Sequence, residues 1–281
     1  MRDAVGWANQ PIPKLGLGSV LSVDCAEAHL TPHNSARGAR RIAILQSNYI
    51  PWKGYFDIIH DVDLFIFYDD VQFTKSDWRN RNRIKATNGP EWLTIPAGED
   101  CSRLICEVEL KDTSWQAKHW RTLQQNYGKC PHFSLYKSYF EDVYLGRRWT
   151  KLSELNHSLI RHISREFLGI RTEFADSRSW RVSGQKLDRL LDLVKQSGAT
   201  HYLSGPAAKD YIEPDRFAQA GIALEWKSYA GYPEYLQRYP PFEHGVSILD
   251  LLFNTGPDAP AYIWGWRQDA PSPADSTRLA G

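Results

Sequence analysis

The stretch ILQSNYIPWKGYFDII, residues 44–59, decides how this chain folds. A short apolar run, Ile42-Ala43-Ile44-Leu45, ends abruptly in Gln46-Ser47-Asn48, and a short helical pattern follows Pro51. Strands buried on both faces read as unbroken apolar runs, and they feed polar loops at their ends. The same form returns in LFIFYDDVQFTKSDWRNRNRIK, residues 64–85, where Leu64 to Tyr68 runs into Asp69 and Asp70. Strand, polar turn, helix, strand opens an α/β fold and puts the chemically rich residues at strand ends.

Working outward, further strands are expected at Trp92–Ile95, Ile105–Leu110, Thr172–Ala175, His201–Leu203 and Ala223–Trp226. Helices are expected over Trp115–Tyr127, with Ser114 as N-cap and Gly128 as stop, and over Lys151–Phe167 and Gln185–Gln196. The last two carry apolar stripes (Leu152, Leu155, Leu159, Ile163; Leu187, Leu190, Leu191, Val194) that read as core. The fold class is therefore α/β, a mostly parallel or mixed central sheet flanked by helices in Rossmann-like layers. Residues 1–40, mixed Pro, Gly, Ser and Asn without period, read as a flexible leader. Residues 41–265 read as the folded domain, with a candidate subdivision near 150–180, and residues 266–281 as a disordered, Pro-rich tail.

Composition bounds the function. A chain of 281 residues buries a substantial core, and a net charge of +1 gives no overall attraction to nucleic acid or an acidic membrane. No apolar stretch is long enough to span a bilayer, and KLGLGSVLS, residues 14–22, is too glycine-rich and too far from a basic start for a signal peptide. Cys25, Cys101, Cys106 and Cys130 form no CxxC pair and have no His at zinc-finger spacing. Free thiols and a cytoplasmic location are the expectation. The 11 Trp and 14 Tyr are many, and such rings serve both cores and clefts for polar organic ligands.

Several separated segments, in order, carry a resemblance: LQSNYIPWKGYFDII (45–59), YDDVQFTKSDWRNRNRIK (68–85), GPEWLTIP (89–96), HWRTLQQNY (119–127), HYLSGPAAKDYI (201–212) and SILDLLFN (247–254). Together they resemble the WbqC-like family, from about Arg41 to Pro257. The resemblance implies a bacterial protein of O-antigen or other surface-polysaccharide biosynthesis, with an activity that looks like acyl or aminoacyl transfer to an amine. Many relatives open the first motif with His-Gln-Pro. This chain has Leu45-Gln46-Ser47, so a role for that His does not transfer.

The residues themselves supply candidates. Asp69 and Asp70 end a strand and point to opposite faces, so one of them enters a given cleft, as base, acceptor or metal ligand; the alternative is a turn cap. The run from Lys75 through Arg79, Asn80 and Asn82 is dense in donors for phosphate, carboxylate or sugar hydroxyls, with a solvated charge run as the alternative. An unperturbed imidazole titrates near neutrality, which makes His119 the first choice for a general base. No motif supports His60, His132, His157, His162, His201 or His244. The loop Ser204-Gly205 through Lys209 follows a strand and is read as an oxyanion or phosphate contact, or as a plain turn. Ser204 lacks a nucleophile elbow, and no nucleophile stands out.

The sequence thus assigns catalysis to His119, Asp70 and Asp69. It assigns substrate binding to Gln46, Tyr49, Trp52, Tyr55, Gln72, Lys75, Arg79, Asn80, Asn82, Ser204, Gly205 and Lys209, and names no metal ligands. The expected reaction joins an acyl or aminoacyl group, from a coenzyme A or carrier-protein thioester, to an amino sugar or similar amine. An acyl carrier protein is the expected partner, with no nucleic acid and no membrane span. Two alternatives stay open: a nucleotide-sugar transferase with a carboxylate-bound metal, and a non-catalytic protein that holds a glycan intermediate.

Overall fold

The computed structural model describes residues 38–267. Seven strands occur there: β1 Arg41–Leu45, β2 Leu64–Phe67, β3 Arg81–Ala86, β4 Gly89–Thr94, β5 Glu173–Asp176, β6 His201–Ser204 and β7 Ala223–Trp226. The helices are α1 Lys53–His60, α2 Ser114–Tyr127, α3 Phe133–Glu141, α4 Leu152–His162, α5 Lys186–Gln196, α6 Pro214–Gln219 and α7 Ile248–Thr255. Five strands form one parallel sheet in the order β5-β2-β1-β6-β7, while β3 and β4 make a separate antiparallel hairpin. This is the α/β class expected.

The unbroken apolar runs are explained by cover on both faces. Ile42, Ile44, Leu64 and Ile66 pack with Leu187, Leu190, Leu191 and Val194 of α5 and Phe217 of α6. The alternate residues Ala43, Phe65 and Phe67 face a larger core that takes in α1, α2, α3, α4 and α7. One sheet draws β1 and β2 from the first part of the chain and β5 to β7 from the rest.

Between the neighbouring strands β2 and β5 the chain makes a long excursion, residues 68–172, that holds the hairpin and α2 to α4. Two expectations change there. Ile105–Leu110 is a 3-10 turn at Ile105–Glu107 followed by a single bridge of Glu109 to Lys151, because its amides turn back on Asp69, Val71 and the start of α4. The donor-dense run is half strand: Arg81–Ala86 pairs with Gly89–Thr94 across Thr87-Asn88, with Gly89 at φ 106°. Only glycine takes that angle without strain.

The α2 start also differs, since Ser114 lies inside the helix and its N–H is held by Asp112 Oδ1 at 2.8 Å. The Lys151–Phe167 helix ends its α-helical part at His162 and widens into a π turn, Ile163–Phe167. Most of the leader and tail lies outside the described residues. At the two margins, Arg40 bonds Thr200 and Ser197, and Arg267 pairs with Asp57 and Asp61, so both residues belong to the folded unit. No helix of the described residues is long and apolar enough to cross a membrane.

Candidate functional site

In an open parallel sheet, ligands bind outside the carboxyl ends of the strands, where the strand order reverses. Here β1 has β2 on one side and β6 on the other, so the reversal lies between Leu45 and Ser204. The loops that leave these ends are Gln46 to Trp52 and Gly205 to Ile212. Gln46 and Asn48 are half-buried at the β1 end, and Gly205 and Pro206 at the β6 end. Tyr55, buried near the start of α1, donates from its hydroxyl to the Gln46 carbonyl at 2.9 Å and fixes the first loop.

Arg79 reaches this edge from the excursion. Its Nη1 makes only long contacts, 3.4 Å to Asn48 Oδ1 and 3.5 Å to Asp77 Oδ2, and its buried Nε has no hydrogen-bond partner among the described residues. The Arg79 charge acts on the phenol of Tyr211, a partly exposed ring, which puts that ring near the guanidinium. An under-used guanidinium, mostly shielded from water, is a strong site for a phosphate or carboxylate.

Asp69 and Asp70 diverge, as adjacent strand residues must. Asp69 is fully buried; Oδ1 accepts from the Ser47 N–H at 2.8 Å and Oδ2 meets His157 Nε2 at 2.8 Å. Asp70 turns to the α5 face, where it accepts from the Ser177 hydroxyl at 2.5 Å and pairs with Arg189. Two carboxylates on opposite faces, each with its own partners, do not converge on a cation, so the carboxylate-bound metal alternative has no ligand set at this edge. Asp57, His60 and Asp61 have the proximity of a metal site. Lys227 and Arg267 neutralise those carboxylates, with Lys227 Nζ 2.9 Å from Asp57 and 2.6 Å from Asp61, and Tyr232 also donates to Asp57. That network clamps the carboxyl-terminal segment onto α1.

His157, on α4, was passed over by the sequence reading. Its ring stacks on Phe67 at 3.9 Å between centroids, its side chain is 15% exposed, and Asp69 holds one of its nitrogens. The other nitrogen, Nδ1, has no hydrogen-bond partner among the described residues and is left to act as a base. Beside it, Asn156 bonds Ser47 Oγ at 3.3 Å and the Arg79 carbonyl at 2.9 Å, tying α4 to both loops. The carboxylate of Asp69 and the charge of Arg79 both act on the Tyr55 phenol, whose pKa is raised mainly by burial, so the three groups share one neighbourhood.

His119 is elsewhere. It is 3% exposed, its Nδ1 lies 2.9 Å from the Tyr49 hydroxyl, and that hydroxyl is 2.6 Å from Tyr144. The ring also meets the Thr94 backbone carbonyl, and burial pushes its pKa down to about 4. A neutral imidazole with both sides occupied is a packing residue, so the expected base has neither access nor a free nitrogen. Tyr49 goes with it into the core.

Of the other expected binding residues, Gln46, Tyr55, Arg79, Ser204 and Gly205 gather at the switch edge. Trp52 lies near it, packed edge-on against Tyr229 at 5.1 Å; a Cβ at Gly54 would sit 2.3 Å from its indole, which is why glycine follows there. Asn80 and Asn82 are clamps. Asn80 donates to the Ile95 carbonyl at 2.8 Å, and Asn82 donates to Tyr49 and Ile50 carbonyls at 3.1 and 3.0 Å. Ile50 needs that hold, since its φ of 36° costs a β-branched residue about 1–3 kcal/mol. Gln72 bonds the Cys101 carbonyl, exposed Lys75 pairs with Glu99, and exposed Lys209 lies over Trp226, so these three do not join the edge.

Comparison with known proteins agrees with this layout only at the level of family. The uncharacterized protein Rv1507c of Mycobacterium tuberculosis (strain ATCC 25618 / H37Rv) is 44% identical over 231 residues, 82% of this chain and 100% of that protein. No solved structure matches the chain. The model of the WbqC-like protein family matches residues 46–262, which include the switch loops, Arg79, the Asp69–His157 pair and β5 to β7. The chain belongs to the WbqC-like protein family.

Proposed function

We propose that the protein is a transferase that joins an acyl or aminoacyl group to the amine of an amino sugar or a similar small amine, in surface-polysaccharide assembly. The observation that carries the reaction class is the Asp69–His157 pair at the edge of β2, on the same rim as Arg79. The buried carboxylate orients the imidazole, so the free nitrogen faces the edge and can take a proton from the amine as it attacks. Arg79 holds an anionic group of one substrate, either the pyrophosphate of a nucleotide-linked sugar or the phosphate of a pantetheine thioester. Gln46 and the loop from Gly205 line the remainder. The polysaccharide setting rests on the family resemblance alone.

The test is direct. The full-length protein is incubated with a nucleotide-linked amino sugar and a panel of acyl and aminoacyl coenzyme A thioesters, and products are read by mass spectrometry. An amide product with release of an equal amount of thiol is expected. Sugar binding without any amide across the panel would instead make the protein a holder of a glycan intermediate.

A further inference from the structure

We propose that the crevice between the ends of β1 and β6 takes the sugar ring of the substrate, and that Tyr229 is the residue that recognises it. This rests on the transferase reading and narrows its acceptor from any small amine to an amine carried on a hydroxylated ring. Tyr229 lies in the segment that leaves β7, two residues beyond Lys227, whose N–H bonds the Ser204 carbonyl at 2.8 Å. That bond brings the segment back over the end of β6. The Tyr229 hydroxyl comes so close to Gly205 that a Cβ there would stand 3.6 Å from it, and the ring meets Trp52 edge-on with centroids 5.1 Å apart. Gly205 opens the loop after β6 and Trp52 closes the loop after β1, so one phenol reaches across the switch point.

Other phenols of this region are committed. Tyr55 donates to the Gln46 carbonyl at 2.9 Å, Tyr232 to Asp57 at 2.5 Å and Tyr235 to Asp250 at 2.7 Å. The Tyr229 hydroxyl has no hydrogen-bond partner among the described residues, although its ring is half-buried. Burial and the Asp57 carboxylate both raise its pKa, so it stays a protonated donor around neutral pH. It also belongs to the same neighbourhood as the proposed chemistry, because the Tyr55 phenol feels Asp69, Arg79 and Tyr229 together.

The neighbouring polar groups have the same character. The side-chain amide of Asn48 meets Arg79 only at 3.4 Å, and that of Gln46 makes no hydrogen bond among the described residues. With Arg79 on the anionic group, what is left unspent at the crevice is uncharged: two amides and a phenol, beside the aromatic surface of Trp52 and Tyr229. Amides donate and accept as sugar hydroxyls do, and aromatic surface receives the C–H face of the ring. A polyamine or an amino-acid zwitterion would need a carboxylate instead. Asp69, the carboxylate in reach, is already engaged by Ser47 and His157.

The test is equilibrium binding, which does not depend on turnover. The full-length protein is titrated calorimetrically with UDP-, GDP- and TDP-linked amino sugars, each beside its bare nucleoside diphosphate, and with free glucosamine. At least one amino sugar should bind more tightly than its bare nucleotide, or on its own. Tyr229→Phe, which keeps the ring against Trp52, should weaken that sugar by about three- to tenfold and leave the nucleotide unchanged. Gly205→Ala is the second variant: its backbone, at φ −71°, accepts alanine, and the added methyl group should weaken the sugar likewise by crowding the hydroxyl. A parent that gains nothing from the sugar, equal losses for sugar and nucleotide, or unchanged affinity in both variants would overturn the inference. Amide formation by Tyr229→Phe at the parent's KM for the sugar would overturn it while leaving the transferase reading intact. Sugar-selective weakening in a protein that forms no amide would support the subsite and defeat that reading.

Discussion

Two histidine neighbourhoods, 38 positions apart in the chain, show how burial sorts identical side chains into different work. Around His119, three rings (Tyr49, Trp115 and Tyr144) close in, and the imidazole is a neutral spacer within a hydroxyl chain. Around His157, one ring face rests on Phe67, one nitrogen meets a buried carboxylate, and the rest opens to the edge. Both are anchored by hydrogen bonds. The difference is the anchor: His157 meets a buried carboxylate beside the edge, whereas His119 lies among buried rings in a desolvated core that holds it neutral.

Turnover should separate the two most strongly. His157→Gln, which keeps an amide to meet Asp69, is expected to lower amide formation by about 10²–10⁴ with little change in unfolding midpoint, and His119→Gln to leave turnover near that of the parent. Steady-state assay beside urea denaturation checks both, and equal losses of turnover would erase the contrast. Stability should reverse the ranking. His119→Ala leaves a cavity and removes one of the two partners of the Tyr49 hydroxyl, and is expected to cost about 3 kcal/mol, read from urea unfolding. A cost under about 1 kcal/mol would mean that the ring is not the packing residue its surroundings make it.

The smallest effect is in pH. His119 has its folded pKa lowered from 6.5 to about 4 by burial, so between these values the unfolded chain binds a proton that the folded chain refuses. That term is absent above pH 6.5 and destabilises increasingly as pH falls, by about 2 kcal/mol at pH 5. Asp250, raised to about 6 by burial, works in the opposite sense, because its folded form binds the extra proton as pH falls toward 4. The comparison is therefore made between parent and His119→Gln. The parent should lose about 2 kcal/mol more than the variant between pH 7 and pH 5, and parallel curves would remove the buried-imidazole account.

Much of the fold was open to reading. β7 occupies Ala223–Trp226 as expected, and β1, β2, β5 and β6 lie within a residue at each end, because strands covered on both faces leave short apolar runs with abrupt polar ends. β3 was missed although the sequence carries two signals: the Asn88-Gly89 dipeptide at the end of the hairpin turn, and an alternation that buries Asn82 and Ile84 and leaves Arg81 and Arg83 part-exposed. Arg81 lies over Trp92 at 4.2 Å, so the charge density of that run is in part a stacked sheet surface. α3 and α7 were not proposed: α7 is nearly continuous in apolar residues, which hides its helical period, and α3 is only nine residues long. The site was half legible. Gln46, Tyr55, Asp69, Arg79 and Gly205 follow from strand ends, but His157 is 88 positions from Asp69, and nothing in local spacing joins them. The nearest hint is that Asn156 and His157 flank the Leu152, Leu155, Leu159 stripe of α4 as polar neighbours of a core face.

By itself the sequence determined the α/β class, the strand ends that matter, the divergence of Asp69 from Asp70 and membership of a family. These follow from interactions a few residues long: side-chain alternation, helical period, turn residues. Only the tertiary structure decided which histidine is buried, which one meets a buried carboxylate, and which amides are clamps. Burial and pairing are properties of residues brought together across the long excursion between β2 and β5, and the free energy of a proton depends on those neighbours rather than on the residue's name.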